Sequence, residues 1–305
     1  MKLKYLIYPV VLFVLLASAC TDLEETFLDS TSGKENIKME NLEQIVAPAY
    51  SNLFRLWIQA EATGAASEGG LFPIQEISTD EVMVPTRGTD WYDGGKWQQN
   101  YLQEWTPDHV HIKELWTELS EGIARANYSL RLLDELESNQ EVKTYRAELH
   151  FLRYYYMYLF VDIYGKVPFR QYSETDFSID PIIWDRTEAF NQIVTKLENE
   201  ILPGLAAYGQ VPYGRPTKDA AKMLLAKLYL NQEVYTGEAG YNKSLEYLNE
   251  MISSGNYMLA DDYWSIFSPE NAGNTEIIFA GVQTDQANMD NSYKWNVHYQ
   301  VSFHY

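Results

Sequence analysis

Apolar positions recur at helical spacing along most of the chain. Leu42, Ile45, Val46, Ala49, Leu53, Leu56 and Trp57 fall on one face of a 3.6-residue period, which predicts a helix starting near Met39, with Pro48 as its candidate kink. The same period predicts helices over about 110–137, 142–164, 186–206, 216–234 and 242–254. Each carries one apolar stripe, such as Ala221, Leu224, Leu225 and Leu228. Local punctuation supports the boundaries: Asp185 and Glu188 have capping-box spacing, Thr217 after Pro216 suits an N-cap, and Gly165 with Pro168 closes the second of these helices. Amphipathic helices joined by short connections pack as hairpins, and a row of hairpins makes a solenoid of the tetratricopeptide kind. "WTELSEGI", residues 116–123, echoes the start of such a repeat, with Ser120 and Ile123 as departures and no strict 34-residue period. The fold class expected is therefore mainly α.

Two stretches break the period. Residues 61–109 hold most of the early glycines and three prolines, and predict a long loop-rich insertion ahead of the hairpins at about 110–254. Residues 255–305 lose helical period; "EIIFAGVQ", residues 276–283, predicts a short strand, and "NSYKWNVHYQVSFHY" ends the chain in aromatics with no closing element. A domain seldom stops on such a run, so the expectation is a domain over 39–305 that is incomplete at its C-terminus.

The N-terminus changes the compartment. Lys2 and Lys4 precede an apolar run from Tyr5 to Ala17, which is a secretory signal and falls short of the roughly 20 residues a spanning helix needs. Cys20 is the only cysteine, so no intramolecular disulfide can form. "LASAC" resembles the lipobox of bacterial lipoproteins, with Ala17 where that pattern prefers a branched aliphatic residue; the alternative is an ordinary signal with an incidental cysteine. The first reading makes residues 1–19 a signal peptide, Cys20 the lipidation site and residues 20–38 a tether. Each buried acyl methylene adds about 0.8 kcal/mol of membrane affinity. The formal charge of −20 moves to −22 once Lys2 and Lys4 are removed, a field that repels polyphosphate and argues against nucleic acid as a partner. The chain has 24 tyrosines to 12 phenylalanines, a bias toward surfaces that recognise polar ligands.

"AELHFLRYYYMYLFVDIYGKVPF", residues 147–169, closely resembles the signature of the SusD/RagB family of outer-membrane lipoproteins of Bacteroidetes. Ala147, Glu148, Phe151, Leu152, Arg153, Tyr155, Tyr156, Tyr164, Gly165, Val167 and Pro168 match, while Tyr154 and Lys166 depart. Residues 214–230, residues 244–279 and "EISTDEVMVPTRG" with the segment after it match in the same order. The resemblance implies tetratricopeptide-like hairpins, a glycan-binding face turned to the extracellular side, and docking on a SusC-like TonB-dependent transporter, with no catalysis. Known members are considerably longer.

Candidate site residues lie first in "TDWYDGGKWQQNYLQEW", residues 89–105. Pyranose C–H faces stack on aromatic rings while carboxylates and amides take the hydroxyls. Trp91, Tyr92 and Trp97 are the candidate rings, with Asp90, Asp93 and Asn100 as polar neighbours and Gly94 and Gly95 admitting close approach. Burial of the same rings against the hairpins is the competing reading. The resemblance adds Tyr293, Trp295 and Tyr299, in the connection after the "EIIF" segment. Tyr154 to Tyr158 wrap their helix, which predicts packing. No catalytic motif selects a carboxylate pair such as Asp80 and Glu81, and His109 and His111, two apart, read as surface residues. Asp261 and Asp262 read as a helix start. The expectation is a lipid-anchored outer-membrane protein that captures oligosaccharide or polysaccharide for a TonB-dependent transporter, with no cofactor and no catalytic or metal residues. The alternatives are a tetratricopeptide-type scaffold lipoprotein that binds no sugar and a surface glycosidase.

Overall fold

In the computed structural model, residues 37–57, 70–88 and 91–282 are described. Three long helices build the core: α1 (Leu42–Trp57), α4 (Val110–Asp134) and α5 (Gln140–Tyr164), with α4 packed against both others. The shorter α2 (Leu71–Ile77) and α3 (Lys96–Tyr101) interrupt the loop-rich stretch between α1 and α4. After α5 the chain forms an antiparallel pair, β1 (Lys166–Phe169) with β2 (Ile182–Asp185), in which Val167 faces Trp184. Then come α6 (Arg186–Lys196), α7 (Lys218–Leu230), α8 (Gln232–Thr236) and α9 (Tyr241–Ser254), with α7 and α9 packed together as a hairpin. The mainly α architecture with helical hairpins is the one the periodicity predicts.

The predicted faces are the buried ones. Leu42, Ile45, Val46, Ala49, Leu53 and Leu56 of α1 are buried, as are Ala221, Leu224, Leu225 and Leu228 of α7. Tyr154, Tyr156 and Tyr158 are all buried around α5, so that run is packing. Tyr156 fixes three helices at once: its ring lies where a Cβ on Gly122 of α4 would sit, 2.8 Å away, and its hydroxyl donates to the Ala49 carbonyl of α1 at 2.7 Å. A buried phenol needs such an acceptor. Helix ends follow the expected chemistry: Asn139 and Asp185 accept from the backbone N–H three residues on, each at 2.8 Å, and Gly165 closes α5 at φ 67°.

Two expectations are corrected, and the helix over 186–206 is refined. "EIIFAGV" forms no strand in residues 276–282: the chain turns there through Ile277 N–H to the Asn274 carbonyl, and the neighbouring 258–260 segment meets it through single bonds, Met258 N–H to the Thr275 carbonyl and Ala260 N–H to the Glu276 carboxylate, rather than a ladder. The helix expected over 186–206 winds into a π segment at Leu197–Ile201 before its last turn at Leu202–Gly204. Thr217 stands at the N-cap of α7, but its buried hydroxyl makes no capping bond. Among the described residues, no helix is long and apolar enough to cross a membrane.

Candidate functional site

The loop entering α3 has unusual backbone geometry. Trp91 and Asp93 have φ of 59° and 42°, and Gly94 and Gly95 continue the left-handed run at 68° and 82°. Glycine adopts these angles freely, whereas each residue with a Cβ costs about 1–3 kcal/mol there and persists only where its surroundings hold it. The holding contacts are specific. Gly95 N–H donates to the Tyr92 carbonyl at 2.6 Å, and the Trp97 indole N–H donates to the Asp93 carboxylate at 2.8 Å. Lys96 lies 3.8 Å from the same carboxylate and 4.9 Å above the Trp97 ring. The loop is thereby drawn back over the first turn of α3.

Beneath the loop lies a sealed polar layer. Trp97 is 2% exposed and tilts over His111, ring centroids 4.7 Å apart. His111 Nδ1 and Asn100 Nδ2 are 2.6 Å apart, so with the amide nitrogen turned to the ring, the imidazole accepts and is neutral. His109, the residue before α4, places Nε2 at 3.0 Å from the Lys96 carbonyl, and its ring meets His111 edge-on at 5.2 Å. Burial, with His109 and Lys96 beside it, pushes the His111 pKa down to about 3. His109 and His111 are 5% and 1% exposed, which corrects the reading of them as surface residues. Spacing misled because His109 precedes the helix, with ψ 128°, so the helical angle between positions two apart does not apply.

These contacts sort the predicted residues. Trp97 and Asn100 offer no surface to a ligand, since both are buried in pairing and packing; Asp93 is exposed, with its carboxylate engaged by Trp97 and Lys96. Tyr92 is 58% exposed, and Trp91 lies half-buried with its ring 5.7 Å from Trp97 at a 54° tilt. The stretch is thus layered, with Trp97 as wall and Trp91 and Tyr92 as its outward edge. Asp90, Cys20, Tyr293, Trp295 and Tyr299 lie outside the described residues. Asp80 and Glu81 are exposed on a loop. Asp262 starts a short 3-10 helix, Tyr263–Phe267, by accepting from Trp264 N–H, as expected of a helix start. Among the described residues, no group of three or more His, Cys, Asp or Glu could hold a metal ion.

Sequence reading missed two features. A concavity of about 410 Å³ opens between α1, the start of α5 and the loop at Tyr213 to Arg215, with Tyr50, Tyr145 and Tyr213 on its walls. At its base Arg215 grips the fully buried Glu148 through Nε and Nη2, at 2.7–3.0 Å, and stacks 3.9 Å over Tyr145. Both charged residues sit in stretches already singled out, but only the fold shows that they meet. The second feature is Tyr263, Trp264 and Phe267, all strongly exposed, with ring centroids 5.2–5.4 Å from Tyr263. Its signal is the clustering in "DDYWSIF".

Residues 26–230 match the family model SusD-like_3, described as starch-binding associating with outer membrane. The starch-binding protein SusD of Bacteroides thetaiotaomicron is 32% identical over 205 residues, covering 67% of this chain and 35% of that protein. A SusD-like protein of Formosa agariphila is 23% identical over 284 residues, 90% of this chain and 51% of that one. Among solved structures, surface glycan-binding protein A from Bacteroides uniformis superposes with a TM-score of 0.64 at 23% identity, over 79% of this chain and 52% of that one. A laminarin binding SusD-like protein superposes with a TM-score of 0.63 at 21% identity, over 79% and 50%. The chain spans about a third to a half of the length of these curated relatives.

Proposed function

The chain belongs to the SusD-like family, and on that premise we propose that it is a surface glycan-capture protein that binds neutral oligosaccharide on the Trp91–Tyr92 edge and catalyses nothing. The observation that carries the proposal is the layering at the loop: a strongly exposed Tyr92 beside a half-buried Trp91, on a backbone fixed by the bonds around Asp93 and Gly95. Flat rings held rigid suit a pyranose face, because stacking then costs little ordering entropy. The acidic chain supports a neutral ligand over a polyanion. A starch-binding protein and a laminarin binding protein among its relatives make glucans the first ligands to try.

In the same proposal Cys20 carries the lipid anchor, the protein faces outward from the outer membrane, and a SusC-like TonB-dependent transporter receives the captured sugar. A scaffold role draws support from one observation: α9 buries Ser244, Tyr247 and Met251 but leaves Tyr241, Leu245 and Ile252 exposed along another edge. Isothermal titration against amylose, laminarin and other neutral polysaccharides, with Trp91→Ala and Tyr92→Ala as controls, separates the two. Glycan capture predicts saturable binding lost in the variants; binding by no polysaccharide, together with co-purification of an envelope protein through the α9 edge, selects the scaffold.

A further inference from the structure

We infer that His111 and Asn100 are positioning residues for the glycan edge: as a sealed, neutral hydrogen-bonded pair they fix the Trp97 ring, and through it the placement of Trp91 and Tyr92. This rests on the glycan-capture reading above. Trp97 is held on two sides, by the tilted His111 ring at a centroid distance of 4.7 Å and by Asp93 on its indole N–H at 2.8 Å. Trp91 then leans on Trp97 at 5.7 Å. Between these rings the backbone holds four left-handed residues in five, two of them not glycine, an arrangement a free loop would shed. His109 adds the remaining tie, bonding the Lys96 carbonyl just where the strained loop becomes helix.

Core stability alone does not account for this choice of residues. His111 Nε2 and His109 Nδ1 are buried without partners, which costs stability that an apolar pair of similar volume would not. What a hydrogen-bonded pair supplies instead is a unique orientation, since Asn100 Nδ2 and His111 Nδ1 must face each other at 2.6 Å, whereas apolar side chains pack in several ways. A ring presented in one orientation loses less freedom on binding, so the buried pair contributes to affinity without touching the ligand.

The test compares wild type, the double variant Asn100→Leu/His111→Leu, and His111→Gln, which keeps an acceptor for the Asn100 amide. Two quantities are read on the purified protein: the Trp97 indole N–H resonance, and affinity for maltoheptaose and laminarihexaose. The double variant should keep a cooperative melt yet move the indole resonance and weaken binding about tenfold or more, while His111→Gln returns both toward wild type. An unmoved resonance with full affinity in the double variant overturns the inference. If the double variant does not fold, His111→Ala against His111→Gln decides by the same readings. If wild type binds no glycan, the glycan-capture reading falls, and the indole resonance alone still decides whether the pair positions Trp97.

Discussion

Tyr156 and Gly122 occupy one another's space: the tyrosine ring lies 2.8 Å from where a Cβ on the glycine would be. The contact sets how closely α4 and α5 approach, and the Tyr156 hydroxyl carries it on to α1 at Ala49. Gly122→Ala is therefore expected to destabilise the fold by about 1–3 kcal/mol through overpacking, although alanine is the better helix former. Tyr156→Phe should cost about 0.5–1.5 kcal/mol by removing a buried hydrogen bond to a helical carbonyl. Equilibrium denaturation of both variants measures these values, and no loss in Gly122→Ala would show that the helices sit farther apart.

Arg215 and Glu148 behave differently, because the carboxylate is fully buried. Arg215→Met removes the counter-charge and leaves Glu148, among the described residues, with the Tyr50 hydroxyl at 2.6 Å. Breaking a buried pair in this way costs about 3–5 kcal/mol at neutral pH. Burial already lifts the Glu148 pKa above the ordinary carboxylate range, against the pull of Arg215 and Tyr50. Without the arginine it rises further, so the variant should regain part of the loss as pH is lowered and the carboxyl becomes neutral. Denaturation of variant and wild type at pH 7 and pH 5 checks this, and an equal difference at both pH values would contradict it.

His111 makes the wild-type fold acid-sensitive. Its pKa falls from 6.5 to about 3 on folding, so between those values the unfolded chain binds a proton that the folded chain does not. Its contribution is thus fully present above pH 6.5 and lost as pH falls toward about 3, at up to about 1.4 kcal/mol per pH unit. His150, lowered to about 4, acts in the same direction. His111→Gln should flatten the stability profile between pH 6.5 and 4, measured by denaturation at fixed ionic strength; an unchanged slope would place His111 in solvent.

Trp97 and Tyr92 lie five residues apart and should respond in opposite ways. Trp97→Ala removes a buried indole and should cost about 3–5 kcal/mol, whereas Tyr92→Ala, at an exposed position, should stay within about 0.5 kcal/mol. Thermal melts of the two variants distinguish wall from edge.

The helices were legible because their signal is local: one apolar stripe per helix, and caps such as Asp185 and Gly165 that act within a few residues. The β1–β2 pair was not, since Val167 and Trp184 are joined across a connection and each strand has only four residues. "EIIF" shows the converse error, strand-like composition with no ladder to join. The site was half legible. Aromatic clustering located the loop, but the division of labour between Trp97 and Tyr92 depends on His111 and Asp93, and no pattern in 89–105 reveals that a histidine from the next helix closes beneath it. The Glu148–Arg215 grip was hidden for the same reason, being 67 residues apart.

The central claim is that the Trp91–Tyr92 edge holds glycan. Titration of maltoheptaose and laminarihexaose into wild type and Tyr92→Ala, with melts run alongside, tests it most directly. The account predicts saturable binding of at least one glucan by wild type, weakened about tenfold or more in a variant that melts as wild type does. Equal affinity in the two proteins, with the fold intact in both, would contradict it.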